Sequence, residues 1–306
     1  MMLQIIIFSF NRALQLDTLL TSLVEHWKSP DYCIDVLYNT TDKDYEKAYQ
    51  KVQDKFATYP ITYHKESAVA DKLQTRMFLV WDNIKRYLKY DCLRRPKSNF
   101  RSLLIKTIKD NPCSHLMFMT DDAMFIRNIN LPQHIFQWID ECPDSRQFIL
   151  RIGEGMNNQP KDIVRKENEY LKWSMYDAKF MSNWGYNFSV DAHIYSKDTI
   201  IRVFDKIWFV NPNTLEDPVC RAFRTKKQMG EAMSYDSPTL LSFPINMVQS
   251  VAKNETMGVA CGMLNQKYLD GYTMKYPIPE KITSFQVYPD YLRFFKGDVE
   301  TQLKLK

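Results

Sequence analysis

The sequence predicts an α/β protein built on a Rossmann-like, mostly parallel sheet flanked by helices, and three observations predict it. Leu3 to Phe10 is a largely apolar run, the pattern of a strand buried on both faces, and Leu14 to Trp27 follows it with helical spacing. Strand and helix then alternate: Cys33 to Tyr38 reads as a second strand, Lys43 to Phe56 as a charged helix and Ile61 to His64 as a short third strand. A fourth buried strand, Leu116 to Met119, comes after a long helix from about Ala68 to Leu88 that Ser67 can cap. Such alternation is what right-handed β-α-β crossovers produce, so the first ~125 residues should form a doubly wound sheet.

The second half reads differently. Leu131 to Asp140 has helical spacing, Gln147 to Ile152 and Tyr186 to Tyr195 read as strands, Ser196 can cap a helix from Asp198 to Ile207, and Thr214 to Arg224 looks like another helix start. Beyond Pro238 the chain reads as strand-poor and rich in turns. With no internal repeat and no long linker, residues 1–127 and 128–306 are expected to share one sheet.

Composition narrows the class. In 306 residues, 45% apolar and 14% aromatic content supplies an ample core, and 8 glycines against 18 Phe and 18 Tyr exclude a low-complexity chain. Six cysteines without any C-x-x-C pair argue against a zinc knuckle or a disulfide framework, and fit reduced thiols in a cytoplasmic protein. The opening MMLQIIIFSFNR is too short an apolar run for a membrane span and lacks a signal peptide's basic flank, so a soluble protein is expected. A formal charge of +5 leans towards anionic partners, yet the basic residues have no arrangement that reads nucleic acid. The tract Tyr90 to Pro112, with Arg94, Arg95, Lys97, Arg101, Lys106 and Lys109, is either a solvated helical face or a contact for an anionic acceptor or a membrane surface.

The stretch HLMFMTDDAMFIR sets two adjacent carboxylates, Asp121 and Asp122, where a buried strand ends. In open α/β sheets ligands collect at such carboxyl ends. Adjacent like charges repel, and either solvation or a cation shared with a phosphate relieves the cost; Mg²⁺ or Mn²⁺ suits hard carboxylate oxygens. Asp122 capping a short turn is the plainer alternative.

Three segments in order, FSFNRALQLDTLLTSL, MTDDAMFI and LEDPVCRAF, resemble a GT-A-type nucleotide-sugar glycosyltransferase of the inverting, family-2-like kind, over roughly residues 3 to 225. The resemblance implies a nucleotide-sugar-binding first half and a smaller, acceptor-binding second half that carries the catalytic base. It implies that Asp121 and Asp122 stand at the metal-binding D-x-D signature, although the spacing here is D-D-A, and the last histidine is His193, so the C-terminal histidine ligand of many relatives has no counterpart. The loop with Ser9, Asn11 and Arg12 would border the nucleotide, and Asn39 would stand where relatives read the nucleobase with an acid. In the Glu216-Asp217 pair the second member would be the base, and Trp184 in Trp184-Gly185-Tyr186 would stack on a sugar. From the residues themselves, Lys72 and Arg76 lie one turn apart near a helix N-terminus that favours phosphate. The function so implied is transfer of a monosaccharide, with divalent metal help, to a glycan or lipid-linked saccharide in cell-surface polysaccharide synthesis; the basic tract and positive charge point to a cytoplasmic place with a peripheral contact at the membrane surface. A catalytically inactive, glycan-binding scaffold is the alternative. A sugar nucleotidyltransferase would want glycine in the phosphate loop, and FSFNRALQL has none.

Overall fold

The computed structural model describes residues 2–69, 71, 81–88, 98–160, 162–248 and 255–305. Its central strand, β1 (Leu3–Phe10), is buried at every position but the last, because helices cover both faces of the sheet. Ile5 and Ile7 face one core with Leu16, Leu19 and Leu23 of α1 (Ala13–His26). Ile6 and Phe8 face the other, with Leu104, Phe204 and Phe223. Burying each such side chain is worth about 1.5–3 kcal/mol, so the apolar run from Ile5 to Phe8 fixes β1 as an interior strand.

The predicted alternation is present as β2 (Tyr32–Asn39), α2 (Lys43–Lys55), β3 (Ile61–Lys65), α3 (Trp81–Tyr87), α4 (Phe100–Asp110) and β4 (His115–Thr120). After the short β5 (Ala123–Phe125) come α5 (Gln133–Glu141), β6 (Arg146–Ile149), β7 (Arg165–Glu167), β8 (Tyr170–Ser174), β9 (His193–Ser196), α6 (Lys197–Phe204), α7 (Pro212–Thr225) and β10 (Glu231–Tyr235). Nine described strands form one sheet in the order β3-β2-β1-β4-β9-β6-β10-β8-β7. Within it β9 and β8 run against the other strands. The fold is therefore a mixed α/β one with a large, mostly parallel sheet flanked by helices, as the resemblance implies.

Register decides where chemistry can gather. Parallel pairing sets Phe10 opposite Asn39 and Phe8 opposite Thr120, so the segments leaving β1, β2 and β4 emerge at one edge of the sheet.

Two expectations are corrected. The strand expected over Tyr186 to Tyr195 is reduced to β9, because Ala192 adopts φ 57° and the Val190 amide donates to a side chain instead of a ladder. The end of the chain is not strand-poor: β11 (Leu240–Ser242) pairs with β5, and after α8 (Cys261–Leu269) the strands β12 (Thr273–Lys275), β13 (Tyr291–Lys296) and β14 (Val299–Lys304) form an antiparallel sheet. In β13 the alternating Leu292 and Phe294 are fully buried, a period-two signal that was readable in YLRFFK.

Lys72, Arg76, Arg94, Arg95 and Lys97 lie outside the described residues. The described cations of the basic tract are engaged within the fold. Arg101 is buried and donates to the Ile207 and Phe204 carbonyls, Lys106 pairs with Asp110 and Lys109 with Asp205. Among the described residues no helix is long and apolar enough to cross a membrane.

Candidate active site at the strand ends

A cleft of about 680 Å³ opens at the edge where β1, β2 and β4 end, and Ser9, Arg12, Asn39, Asp121, Asp122 and Glu216 all line it. Asn11 turns the chain there with φ 55°, a left-handed conformation that asparagine tolerates better than most residues. Its side chain is spent on the scaffold: the amide donates to the Thr41 hydroxyl and its oxygen accepts the Thr41 N–H, both at 3.0 Å. Asn11 thus ties the β1 and β2 loops together and delivers Arg12.

Arg12 holds the acidic doublet. Its Nη1 lies 2.9 Å from Asp121 Oδ1 and 3.4 Å from Asp122 Oδ2, while Nη2 donates to the Asn246 carbonyl at 2.5 Å. The Ser9 hydroxyl donates to Asp121 Oδ2 at 2.7 Å and is backed by the Tyr49 hydroxyl at 2.5 Å. Burial works against the Arg12 charge, but Asp121 and Asp122 outweigh it and raise its pKa. Burial pushes the Asp121 carboxyl up to about 6 against the opposing pull of Arg12. Asp121 thus anchors Arg12 through one carboxylate oxygen and accepts the Ser9 hydroxyl on the other.

Asp122 faces a partner that sequence reasoning missed. The Thr120 hydroxyl lies 2.8 Å from Asp122 Oδ1 and 2.8 Å from Asp191 Oδ1, and one hydroxyl proton cannot satisfy both carboxylates fully. Asp191 also pairs with the buried Arg151 at 3.2 Å. Burial raises the Asp191 pKa, Arg151 opposes the shift and Asp122 adds to it. Asp191 was legible only as a polar break in NFSVDAHIY, since its place beside Asp122 depends on β9 lying next to β4.

The other acidic pair splits. Asn211 caps α7 by accepting from the Thr214 N–H, with Pro212 in the first turn, and successive helical residues then point about 100° apart. Glu216 faces the cleft, where its Oε1 accepts from the Val190 N–H at 2.9 Å and the Ser189 hydroxyl at 3.1 Å. Burial, with Asp191 nearby, pushes its pKa up to about 7. Asp217 instead lies outside the cleft lining and pairs with Arg221 Nε at 2.8 Å on the same helix, its side chain 47% exposed. Of the pair it is therefore Glu216, and not the expected Asp217, that the helix turns into the cleft.

Trp184 is corrected too. It is fully buried, its ring edge-on to Trp173 at 5.0 Å, and its indole N–H donates to the Asn157 carbonyl at 3.3 Å, so it is core and presents no face to a sugar. His193 is buried with Nδ1 2.8 Å from Gln147 Oε1, a hydrogen-bonded core histidine. Asn39 donates weakly, at 3.4 Å, to Glu66 Oε2, and Ser98 bonds the same oxygen at 2.5 Å. Glu66, unremarked in the sequence, thereby brings an acid to the place beside Asn39; its signal was a carboxylate just past the third parallel strand.

Among the described lining residues, Glu66, Asp121, Asp122, Asp191, Glu216 and Glu255 face a single guanidinium, that of Arg12. Carboxylate oxygens are the donors a hard divalent ion would take. Among the described residues no three His, Cys, Asp or Glu side chains could cage an ion, but Asp122 and Asp191 converge on one hydroxyl, and Mg²⁺ and Mn²⁺ commonly take one or two carboxylates with phosphate oxygens and water.

The chain is similar to solved structures of S. aureus TarS. One TarS chain matches with a TM-score of 0.46 and 13% identity, over 79% of this chain and 36% of that one. TarS 1-349 in complex with UDP matches with a TM-score of 0.44 and 13% identity, over 78% and 60%. TarS 1-349 in complex with UDP-GlcNAc matches with a TM-score of 0.45 and 11% identity, over 78% and 58%. The chain thus spans about a third of the longer TarS chain and under two thirds of the shorter ones. No family model and no curated protein matches it.

Proposed function

We propose that this protein is a glycosyltransferase that moves a monosaccharide from a nucleotide-diphosphate sugar to a hydroxyl of a glycan or lipid-linked saccharide, with inversion. The observation that carries the reading is the strand-end cleft in which Glu216, with a pKa raised to about 7, stands beside the Asp122–Thr120–Asp191 cluster. Both protein donors to Glu216 fall on Oε1, which leaves Oε2 to take the acceptor's proton. The acceptor oxygen then attacks the anomeric carbon as the bond to the diphosphate breaks on the opposite face. Arg12 fixes the doublet, and Asn39 with Glu66 borders the end of the cleft suited to the nucleobase.

Charge supports a metal requirement. A diphosphate entering a cleft with six carboxylates and one arginine among its described lining residues meets repulsion that a divalent cation relieves. Asp122 and Asp191 are the residues that would hold Mg²⁺ or Mn²⁺, which would neutralise the departing diphosphate. The likeness to TarS, whose structures contain UDP and UDP-GlcNAc, makes UDP the first probe, with GDP and TDP beside it.

Calorimetry of the nucleotides with and without Mn²⁺ tests this. Metal-dependent binding is expected, weakened about tenfold or more in Asp122→Asn and in Asp191→Asn, the usual scale for disturbing a metal's surroundings. Equal binding in a chelator would refute the metal role, and no binding of any nucleotide would leave the glycan-binding scaffold standing.

A further inference from the structure

At the end of the sheet opposite the cleft, two thiols touch. Cys33 Sγ and Cys113 Sγ are 3.8 Å apart, although 80 positions separate them in sequence. Cys33 is the second residue of β2, half-buried, and pairs in register with Gln4 of β1; Cys113 is buried in the turn that leads into β4. The contact is built by its surroundings. The Asn111 side-chain oxygen accepts the Cys113 N–H at 2.9 Å, while its amide donates to Cys33 Sγ at 3.1 Å and to Asp35 Oδ2 at 3.3 Å. Asp35 is itself held by Gln4 Nε2 at 2.7 Å and by His64 Nε2 at 2.6 Å. One asparagine therefore engages both cysteines, Cys33 at its sulfur and Cys113 at its backbone N–H.

We propose that Cys33 and Cys113 are a redox-convertible dithiol, a modification site that a peroxide-class oxidant closes to a cystine. The half-buried Cys33 reacts first: its thiolate sulfur attacks one peroxide oxygen, the O–O bond breaks, hydroxide leaves and a sulfenic acid forms. The Cys113 sulfur then attacks the Cys33 sulfur and displaces the sulfenic oxygen as water. In sum, two thiols and one hydrogen peroxide give one disulfide and two waters, each sulfur losing one electron and the peroxide gaining two. The sulfurs must move from contact to bonding distance, about 2.05 Å. The new bond would tie the start of β2 to the turn before β4 across the start of β1, at the far end of the strands that lead to Ser9, Asn39 and Asp121. Crosslinks that close long loops stabilise most. The inference is independent of the reading of the cleft.

Full-length protein treated with hydrogen peroxide under native conditions, alkylated and digested without reductant, provides the test. A peptide joining Cys33 to Cys113 is expected, lighter by two hydrogens than the sum of its parts, with two thiols lost on titration and restored by dithiothreitol. Tm should rise by several degrees, and Cys33→Ser should lose both the crosslink and the shift. Cys33 accumulating as sulfinic acid beside a free Cys113, or joined to another cysteine, would overturn the proposal. So would two thiols that resist peroxide in the folded protein yet react in urea.

Discussion

Glu216→Gln should lower kcat for sugar transfer by about 10²–10⁴-fold, the usual contribution of a positioned general base, and leave donor affinity nearly unchanged. Glutamine keeps the volume and the acceptor oxygen for the Val190 N–H and Ser189 hydroxyl, so folding is spared and only proton acceptance is lost. The pH profile provides a second readout. Burial holds Glu216 protonated up to about 7, and the base works only when ionised, so kcat/KM should rise with pH through about 7 and level off above it. The variant should lose that limb. Stability moves the other way, since between the unfolded value near 4.3 and the folded value the native state binds more protons; this group's contribution falls as pH rises through that window. Asp217→Asn, which touches only the exposed pair with Arg221, should keep turnover within about twofold, given that such pairs are worth ~0.3–0.5 kcal/mol. Equal losses in both variants, measured by steady-state kinetics with the donor found by calorimetry, would return the base to position 217 or remove it from α7.

The contrast between these two neighbours shows where sequence stops informing. The frame was legible because its signals are local: the apolar run of β1, the helical period of α1 and the alternation through β4 each report burial on a known face. That Asp121 and Asp122 end a buried strand was readable for the same reason. Which member of an acidic pair faces a cleft is set by helix phase, and the phase of α7 follows from its cap at Asn211, which nothing in LEDPVCRAF declares. Asp191 and Glu66 left only faint local signals, because each acquires its meaning from a non-local neighbour, Thr120 across the β4–β9 junction and Asn39 across β2 and β3. Trp184 misled for the opposite reason, since an aromatic next to glycine reads alike whether it lines a shelf or fills a core.

Arg12→Met should destabilise the fold by about 3–5 kcal/mol, the usual cost of leaving one partner of a buried ion pair alone, and should abolish metal-dependent nucleotide binding. Methionine approximates the length of the arginine stem without its charge, and Arg12 and Asp121 are 8% and 2% exposed, so solvent cannot replace the lost guanidinium. With Arg12 present Asp121 already sits at about 6 because of burial; without it the carboxyl rises further and takes up a proton near neutrality. The deficit should therefore shrink as pH falls, because below the folded value the aspartic acid is neutral and no buried charge is left alone. Asp121→Asn in the same background removes that charge at every pH, so the double variant should recover much of the loss and show little pH dependence. Urea unfolding of the single and double variants at pH 5 and 8 gives the coupling between the two side chains. A loss under about 1 kcal/mol for Arg12→Met, or a double variant no more stable than the single one, would mean that Arg12 does not neutralise the doublet. The cation balance of the cleft would then have to come from elsewhere.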